Sequence, residues 1–278
     1  FSKIVRQFDP DVMIGIGGTG YSHVGWAKSI SSIVFTDTEN AHLSNFISFP
    51  FASLICTPAC YKKNIGSKQL RYEGYHELAY LHPNWFEPDP RTLDEIGLKL
   101  PERFFVLRFV SWTAAHDVGQ SGFSIEGKRR LVQRLAGLGR VIITSESPLP
   151  PELEPYRMRV SPTKIHDLLA FSTLYIGEGA TMASESAILG TPFIFVSPLR
   201  AGSLDEQEKK YGLGYTVHPS QEDFAIELAL ELAQRPGLRE EWQQKRARML
   251  ADKIDVTAWM VDFVERYPDS LREYVMRG

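Results

Sequence analysis

The stretch Leu174-Tyr-Ile-Gly-Glu-Gly-Ala-Thr-Met-Ala-Ser-Glu-Ser-Ala-Ile-Leu-Gly-Thr-Pro-Phe-Ile-Phe-Val196 spells an apolar strand, a turn of small residues, a short helix and a second apolar strand. Small residues at Gly177, Gly179 and Ala180 let a bound group come close to the backbone. The free N–H groups of a helix beginning near Thr181 favour a phosphate there. Glu185 lies about one helical turn further in, where a carboxylate can accept hydrogen bonds from the two hydroxyls of a ribose. The alternative is a buried α/β turn whose small residues serve packing alone.

The same alternation extends on both sides. Apolar runs predict strands over 104–110, 140–144 and 174–176, with helices over 126–138 and 164–172 between them, as in a parallel, doubly wound sheet that binds ligands at the carboxyl ends of its strands. Helices over 221–234 and 240–252 follow, separated by Pro236-Gly237. Apolar Val256, Trp259, Met260, Phe263 and Val264 are spaced as one face of a last amphipathic helix, which either crosses back to the first domain or packs within its own. Upstream, β-rich runs over 12–16, 32–36 and 54–56 predict a separate α/β unit over 1–98. The segment His82-Pro-Asn-Trp-Phe-Glu-Pro-Asp-Pro90 breaks regular structure and leads to a boundary near Pro101, so the second domain is expected over 99–255 and the terminal helix over 256–278.

At 278 residues and 43% hydrophobic residues, the chain is long and apolar enough for two such cores. A net charge of −3, without a basic tract, leaves no electrostatic footprint for nucleic acid. Cys56 and Cys60 fit neither the zinc nor the thioredoxin spacing and read as reduced thiols of a cytosolic protein. No apolar run reaches the roughly 18 to 20 residues that span a bilayer. The chain opens at Phe1 and meets its first strand almost at once, so it is expected to enter midway through an N-terminal domain whose early strands are missing.

The residues Gly179, Ala180, Thr181, Ser184, Glu185, Gly190 and Pro192 together resemble the nucleotide-binding element of GT-B glycosyltransferases and of the related UDP-GlcNAc 2-epimerases. Phrases such as Phe35-Thr-Asp-Thr-Glu39, Gly74-Tyr-His-Glu-Leu-Ala-Tyr-Leu-His-Pro83, Arg108-Phe-Val-Ser-Trp112 and Ala115-His-Asp117 extend the likeness over nearly the whole chain, to a prokaryotic family of unknown function described as GT-B-like. The resemblance implies two Rossmann-like domains with a cleft between them. It implies a nucleoside-diphosphate sugar as donor, with the diphosphate at Gly179 to Thr181 and the ribose at Glu185, and a carbohydrate or lipid-linked acceptor, as in polysaccharide biosynthesis. Neither metal nor cofactor is implied. A 2-epimerase shares the element but usually carries a His-Gly-Asp-Thr turn where this chain has Gly17-Gly-Thr-Gly20.

Other constellations point to the same ligands or compete with them. Gly15-Ile-Gly17-Gly-Thr-Gly20 after a strand, with Asp37 or Glu39 about 20 residues on, matches the dinucleotide fingerprint. It reads as an NAD site for an oxidoreductase, as packing, or as a loop that lines the acceptor cleft through Gly17, Gly18 and Thr19. Asp37 and Glu39 follow an apolar strand, where one can serve as general base toward an acceptor hydroxyl; the alternative is a helix N-cap from Asp37, Thr38 or Asn40. In the second unit Arg108 or His116, with Asp117 beside it, can neutralise the diphosphate, unless Arg108 is a structural ion-pair partner and His116-Asp117 a surface turn. His166, near the start of the helix that precedes the Glu185 element, either contacts the base or phosphate or is merely solvated or packed; Glu146, just past the strand over 140–144, is similarly placed. Glu178, inside the glycine turn, is expected to point toward sugar hydroxyls, because its charge beside a diphosphate is unfavourable.

Overall fold

A computed structural model of the chain describes residues 1–110, 122–145, 148–158 and 161–277. The chain is α/β, with two parallel sheets. It divides into two compact units, Phe1–His76 with Ala201–Ser203, and Glu77–Arg200 with Leu204–Gly278.

The first unit runs α1 (Ser2–Phe8), β1 (Val12–Ile16), α2 (Thr19–Lys28), β2 (Ser31–Phe35), α3 (His42–Ser48), β3 (Leu54–Pro58) and β4 (Gln69–Tyr72). Its strands pair in parallel in the order β1-β2-β3-β4. Ile33, Val34, Leu54, Ile55 and Cys56 are all but solvent-free, as expected of central strands covered on both faces. Apolar periodicity does not reveal β4. Gln69 and Arg71 break its pattern because their side chains bond the neighbouring loop, Arg71 donating to the carbonyls of Ala59 (3.0 Å) and Tyr61.

The second unit begins with α4 (Leu78–Leu81) and α5 (Arg91–Glu95). It continues through β5 (Phe104–Phe109), α6 (Ile125–Ala136), β6 (Arg140–Ser145), α7 (Ile165–Phe171), β7 (Leu174–Gly177), α8 (Ala180–Leu189), β8 (Phe193–Val196), α9 (Gly202–Lys209) and β9 (Gly214–Val217). It closes with α10 (Glu222–Gln234), α11 (Leu238–Asp252), α12 (Val256–Glu265) and α13 (Asp269–Arg277). Five parallel strands lie in the order β6-β5-β7-β8-β9, so the chain reverses its direction of travel across the sheet between β5 and β7. A reversal of this kind opens a crevice at the carboxyl ends of the two strands. Ser124 caps α6 by accepting the Gly127 N–H at 2.9 Å, and the helix buries Leu131, Val132 and Leu135.

The segment expected to separate the two domains is instead docked within the second unit, and residues 77–98 belong with it. Asp255, the N-cap of α12, accepts from Asn84 Nδ2 and from Trp85 Nε1, both at 2.8 Å. Asp167 accepts from the Asp89 N–H at 2.8 Å and from Thr92 Oγ1 at 3.0 Å. These bonds, three from side chains and one from the Asp89 backbone, hold the irregular, Pro-rich segment. The apolar face expected from Val256 onward is buried at Val256 and Phe263 of α12, and Thr257 donates to the carbonyl of Ala79 in α4.

Candidate nucleotide-binding site

At the β5/β7 reversal, the turn from β7 into α8 is shaped by two glycines with different reasons. A Cβ on Gly177 would stand 2.5 Å from the Tyr175 hydroxyl, so packing alone demands glycine there. At Gly179 the nearest atom to such a Cβ is Arg108 Cγ at 3.6 Å, an ordinary contact. Packing therefore does not explain Gly179. Tyr175 holds the turn from beneath, donating its buried hydroxyl to the Gly179 carbonyl at 3.2 Å. Helix α8 has Gly179 as N-cap without a side-chain cap, and Thr181 is exposed. Its first-turn N–H groups thus offer the partial positive end of a helix to an anion.

One turn into α8, Glu185 is buried at 6% exposure, and both of its polar contacts fall on Oε1. Tyr80 donates its hydroxyl at 2.9 Å, and His166 Nε2 lies at 3.0 Å. The His166 ring in turn sits between Tyr80 and Phe86, with centroids 5.5 and 5.8 Å away. His166, read from the sequence as a base or phosphate contact or as merely packed, lies against Glu185 Oε1. A cavity of about 390 Å³ is lined by Arg108 from β5, Thr144 and Ser145 from β6, Met158, Ile165 and, three residues before Glu185 on α8, Met182, among others. Sequence reasoning found Arg108 but missed Thr144, Ser145, Met158 and Met182; of these Thr144 and Ser145 carried a signal, their place at the end of β6.

Glu178 does not face this cavity. Its carboxylate is solvent-free and accepts the N–H of Val110 at 2.9 Å and of Phe123 at 2.8 Å, with Lys128 Nζ at 3.2 Å. It is a buried clamp between β5 and the start of α6, not a group for sugar hydroxyls. His116, Asp117 and Glu146 lie outside the described residues.

In the first unit, the Gly15 to Gly20 turn is filled from inside by Tyr21. The phenol donates to the Gly15 carbonyl at 2.9 Å and the Gly17 carbonyl at 2.5 Å, and burial pushes its pKa up. A Cβ on Gly18, whose φ is +120°, would meet the Tyr21 ring at 2.1 Å, and one on Gly15 at 2.7 Å. Of the fingerprint glycines, Gly15 thus has a packing cause, as does Gly18 between them. Gly17 (φ +61°), by contrast, faces open space, and Thr19 opens α2.

Of the two carboxylates after β2, Glu39 is buried and accepts the Lys62 N–H at 2.6 Å, which makes it a loop anchor. Asp37 is half-buried, accepts from Thr38 Oγ1 at 3.0 Å, and acts electrostatically on His76, a residue the sequence did not single out. Burial holds the His76 pKa below the ordinary imidazole value, Asp37 only partly opposing it, and Nδ1 is buried without a hydrogen-bond partner. None of Asp37, Thr38 and Asn40 caps α3, whose N-cap is Ala41.

A family model described as a protein of unknown function, DUF354, matches residues 1–267. The chain belongs to the DUF354 family. No curated protein matches this DUF354 chain in sequence. Solved structures do resemble it in fold. A UDP-N-acetylglucosamine 2-epimerase superposes with a TM-score of 0.61 at 13% identity, over 96% of this chain and 76% of that one. The glycosyltransferase SsfS6 of Streptomyces sp. SF2575, complexed with thymidine diphosphate, gives 0.56 at 14% identity, over 95% and 71%. The spinosyn rhamnosyltransferase SpnG, complexed with spinosyn aglycone, gives 0.55 at 11% identity, over 95% and 75%.

At such identities the likeness is one of fold: the DUF354 chain has the two Rossmann-like units of a GT-B-like protein. Among its described residues, no helix is long and apolar enough to cross a membrane.

Proposed function

We propose that this DUF354 protein is a glycosyltransferase that takes a nucleoside-diphosphate sugar at the β7–α8 turn. The observation that carries the reading is Glu185, a buried carboxylate whose Oε1 is held by Tyr80 and His166 and which lies three residues along α8 from Met182 in the wall of a 390 Å³ cavity. Both contacts use one oxygen, which leaves Oε2 for ribose hydroxyls. Gly179, Ala180 and Thr181 would present backbone N–H groups to the diphosphate, Arg108 would face it from β5, and the base would rest against Met158 and Ile165.

In transfer, the bond between the anomeric carbon and the diphosphate oxygen breaks and a bond to an acceptor oxygen forms. The charge that develops on the leaving diphosphate is then taken by the α8 N-terminus and Arg108. The acceptor hydroxyl loses its proton to a base, for which Asp37 and His76 are the candidates in the first unit; burial keeps His76 neutral and able to accept at neutral pH.

The test is a panel of UDP-, TDP- and GDP-sugars monitored by thermal shift, followed by product analysis. The reading expects saturable stabilisation by donors of one base, competition by the matching diphosphate, and loss of both in Glu185→Ala. Recovery of the donor with an epimerised sugar, and no transfer, would replace transferase by epimerase. Stabilisation by NAD that survives Glu185→Ala would overturn the reading altogether.

A further inference from the structure

A cavity of about 600 Å³ lies in the first unit between α3 and the loop that joins β3 to β4. Its apolar part is made by Ile55 from β3, Phe49, Ile65 and Phe46. Phe46 is 79% exposed, so a large apolar ring on α3 stands at the cavity wall with nothing packed over most of its surface. Isolated exposed hydrophobics are ordinary, but one that continues the wall of an apolar cavity is a feature of ligand sites.

Its polar part carries one sign of charge. Lys63 and Lys68 line the cavity, and no Asp or Glu does. Both ammonium groups are held in place by neutral acceptors. Lys68 Nζ donates to the carbonyls of Pro50 at 2.7 Å and Ala52 at 2.8 Å; Lys63 Nζ donates to the carbonyl of Glu39 at 2.9 Å and contacts His42 Nδ1 at 3.0 Å. An ammonium has three N–H donors, so each lysine keeps one for a further acceptor. Two pre-positioned cations beside an apolar cavity are complementary to an acid group on an apolar body, and holding them in advance lowers the ordering cost of binding.

We propose that this cavity binds a single anionic amphiphile, an apolar chain or ring that carries a phosphate or carboxylate. The acid group meets Lys63 and Lys68, and the apolar body lies along Phe46, Phe49 and Ile65. As a binding site it stands on the first unit alone. As the acceptor site, for an acidic lipid-linked acceptor, it rests on the transferase reading above.

The experiment is a calorimetric titration of the protein with octyl phosphate below its critical micelle concentration, with octyl glucoside and inorganic phosphate each supplying half of the chemistry. The expected result is saturable one-to-one binding, at least about tenfold tighter than either control, since a charge-assisted hydrogen bond is lost with one and the buried chain with the other. Lys63→Gln, Lys68→Gln and Phe46→Ser alter exposed side chains and should fold normally; each is expected to weaken octyl phosphate binding by about three- to tenfold. Glu185→Ala should leave it unchanged. Octyl phosphate binding no tighter than the controls, or unaltered by the three substitutions, overturns the proposal. So does binding to vesicles of phosphatidylglycerol without binding of monomers, which would mark surface adsorption. A parallel titration with UDP and TDP separates the two ideas: nucleotide binding that persists when octyl phosphate does not bind removes the amphiphile site and leaves the donor reading intact.

Discussion

Tyr80 donates its hydroxyl to Glu185 Oε1 at 2.9 Å, joining residues 105 positions apart. The bond aims a buried carboxylate before any ligand arrives, and the His166 ring packs against both partners. Tyr80→Phe keeps the ring and removes only the donor. It is expected to weaken nucleoside-diphosphate binding by about three- to tenfold, the worth of one hydrogen bond to a charged group, with the circular dichroism spectrum unchanged. An unaltered affinity would show that Tyr80 does not position Glu185.

Glu178 makes the opposite prediction, a large effect on stability through a group in the glycine turn itself. Its carboxylate serves two backbone N–H groups and Lys128 with no exposed surface. Glu178→Ala leaves those donors and a nearly buried ammonium without an acceptor. We expect a loss of about 3–5 kcal/mol in urea-induced unfolding, as when one partner of a buried ion pair is removed.

Gly18→Ala tests the packing account of the Gly15 to Gly20 turn. A Cβ at φ +120° and 2.1 Å from the Tyr21 ring must displace that ring or the backbone. The expected cost is more than about 2 kcal/mol in thermal or urea denaturation, from strain and overpacking together. Gly17→Ala, whose Cβ meets nothing within 4 Å, should cost less.

The half-buried imidazole of His76 gives a pH dependence. Burial lowers its pKa from the ordinary 6.5, more than Asp37 raises it. The unfolded chain therefore binds a proton at a higher pH than the folded one. The contribution of His76 to stability is complete above pH 6.5 and is lost as the pH falls toward the depressed folded value. Urea midpoints of wild type and His76→Gln should converge between pH 7.5 and pH 5, and the acid limb of any turnover that uses His76 as base should lie below 6.5. An acid limb above that value would contradict the burial.

The sheets were legible because their central strands are apolar on both faces: the runs at 31–35, 104–109 and 174–177 need no partner to be recognised. β4 was not, since Gln69 and Arg71 spend their polar groups on carbonyls of the preceding loop. The Pro-rich segment after His82 reads as a linker until Asp255 and Asp167 are seen to bond it. In the site, the small residues and Glu185 were legible from their spacing. The burial of Glu178 and Glu39 was not, because a carboxylate near a strand end looks the same in sequence whether it faces solvent or a backbone N–H. Tyr80 and His76 were hidden for a different reason, since their partners are distant in the chain.

The central claim is that the β7–α8 turn binds a nucleoside diphosphate through Glu185. Calorimetric titration of wild type and Glu185→Ala with UDP, TDP and GDP tests it most directly. One diphosphate should bind with one-to-one stoichiometry and lose at least about tenfold in affinity in the variant, which is the loss of about 1.4 kcal/mol of hydrogen bonding to a charged group. Equal affinities in the two proteins, or no binding of any diphosphate to the wild type, would contradict it.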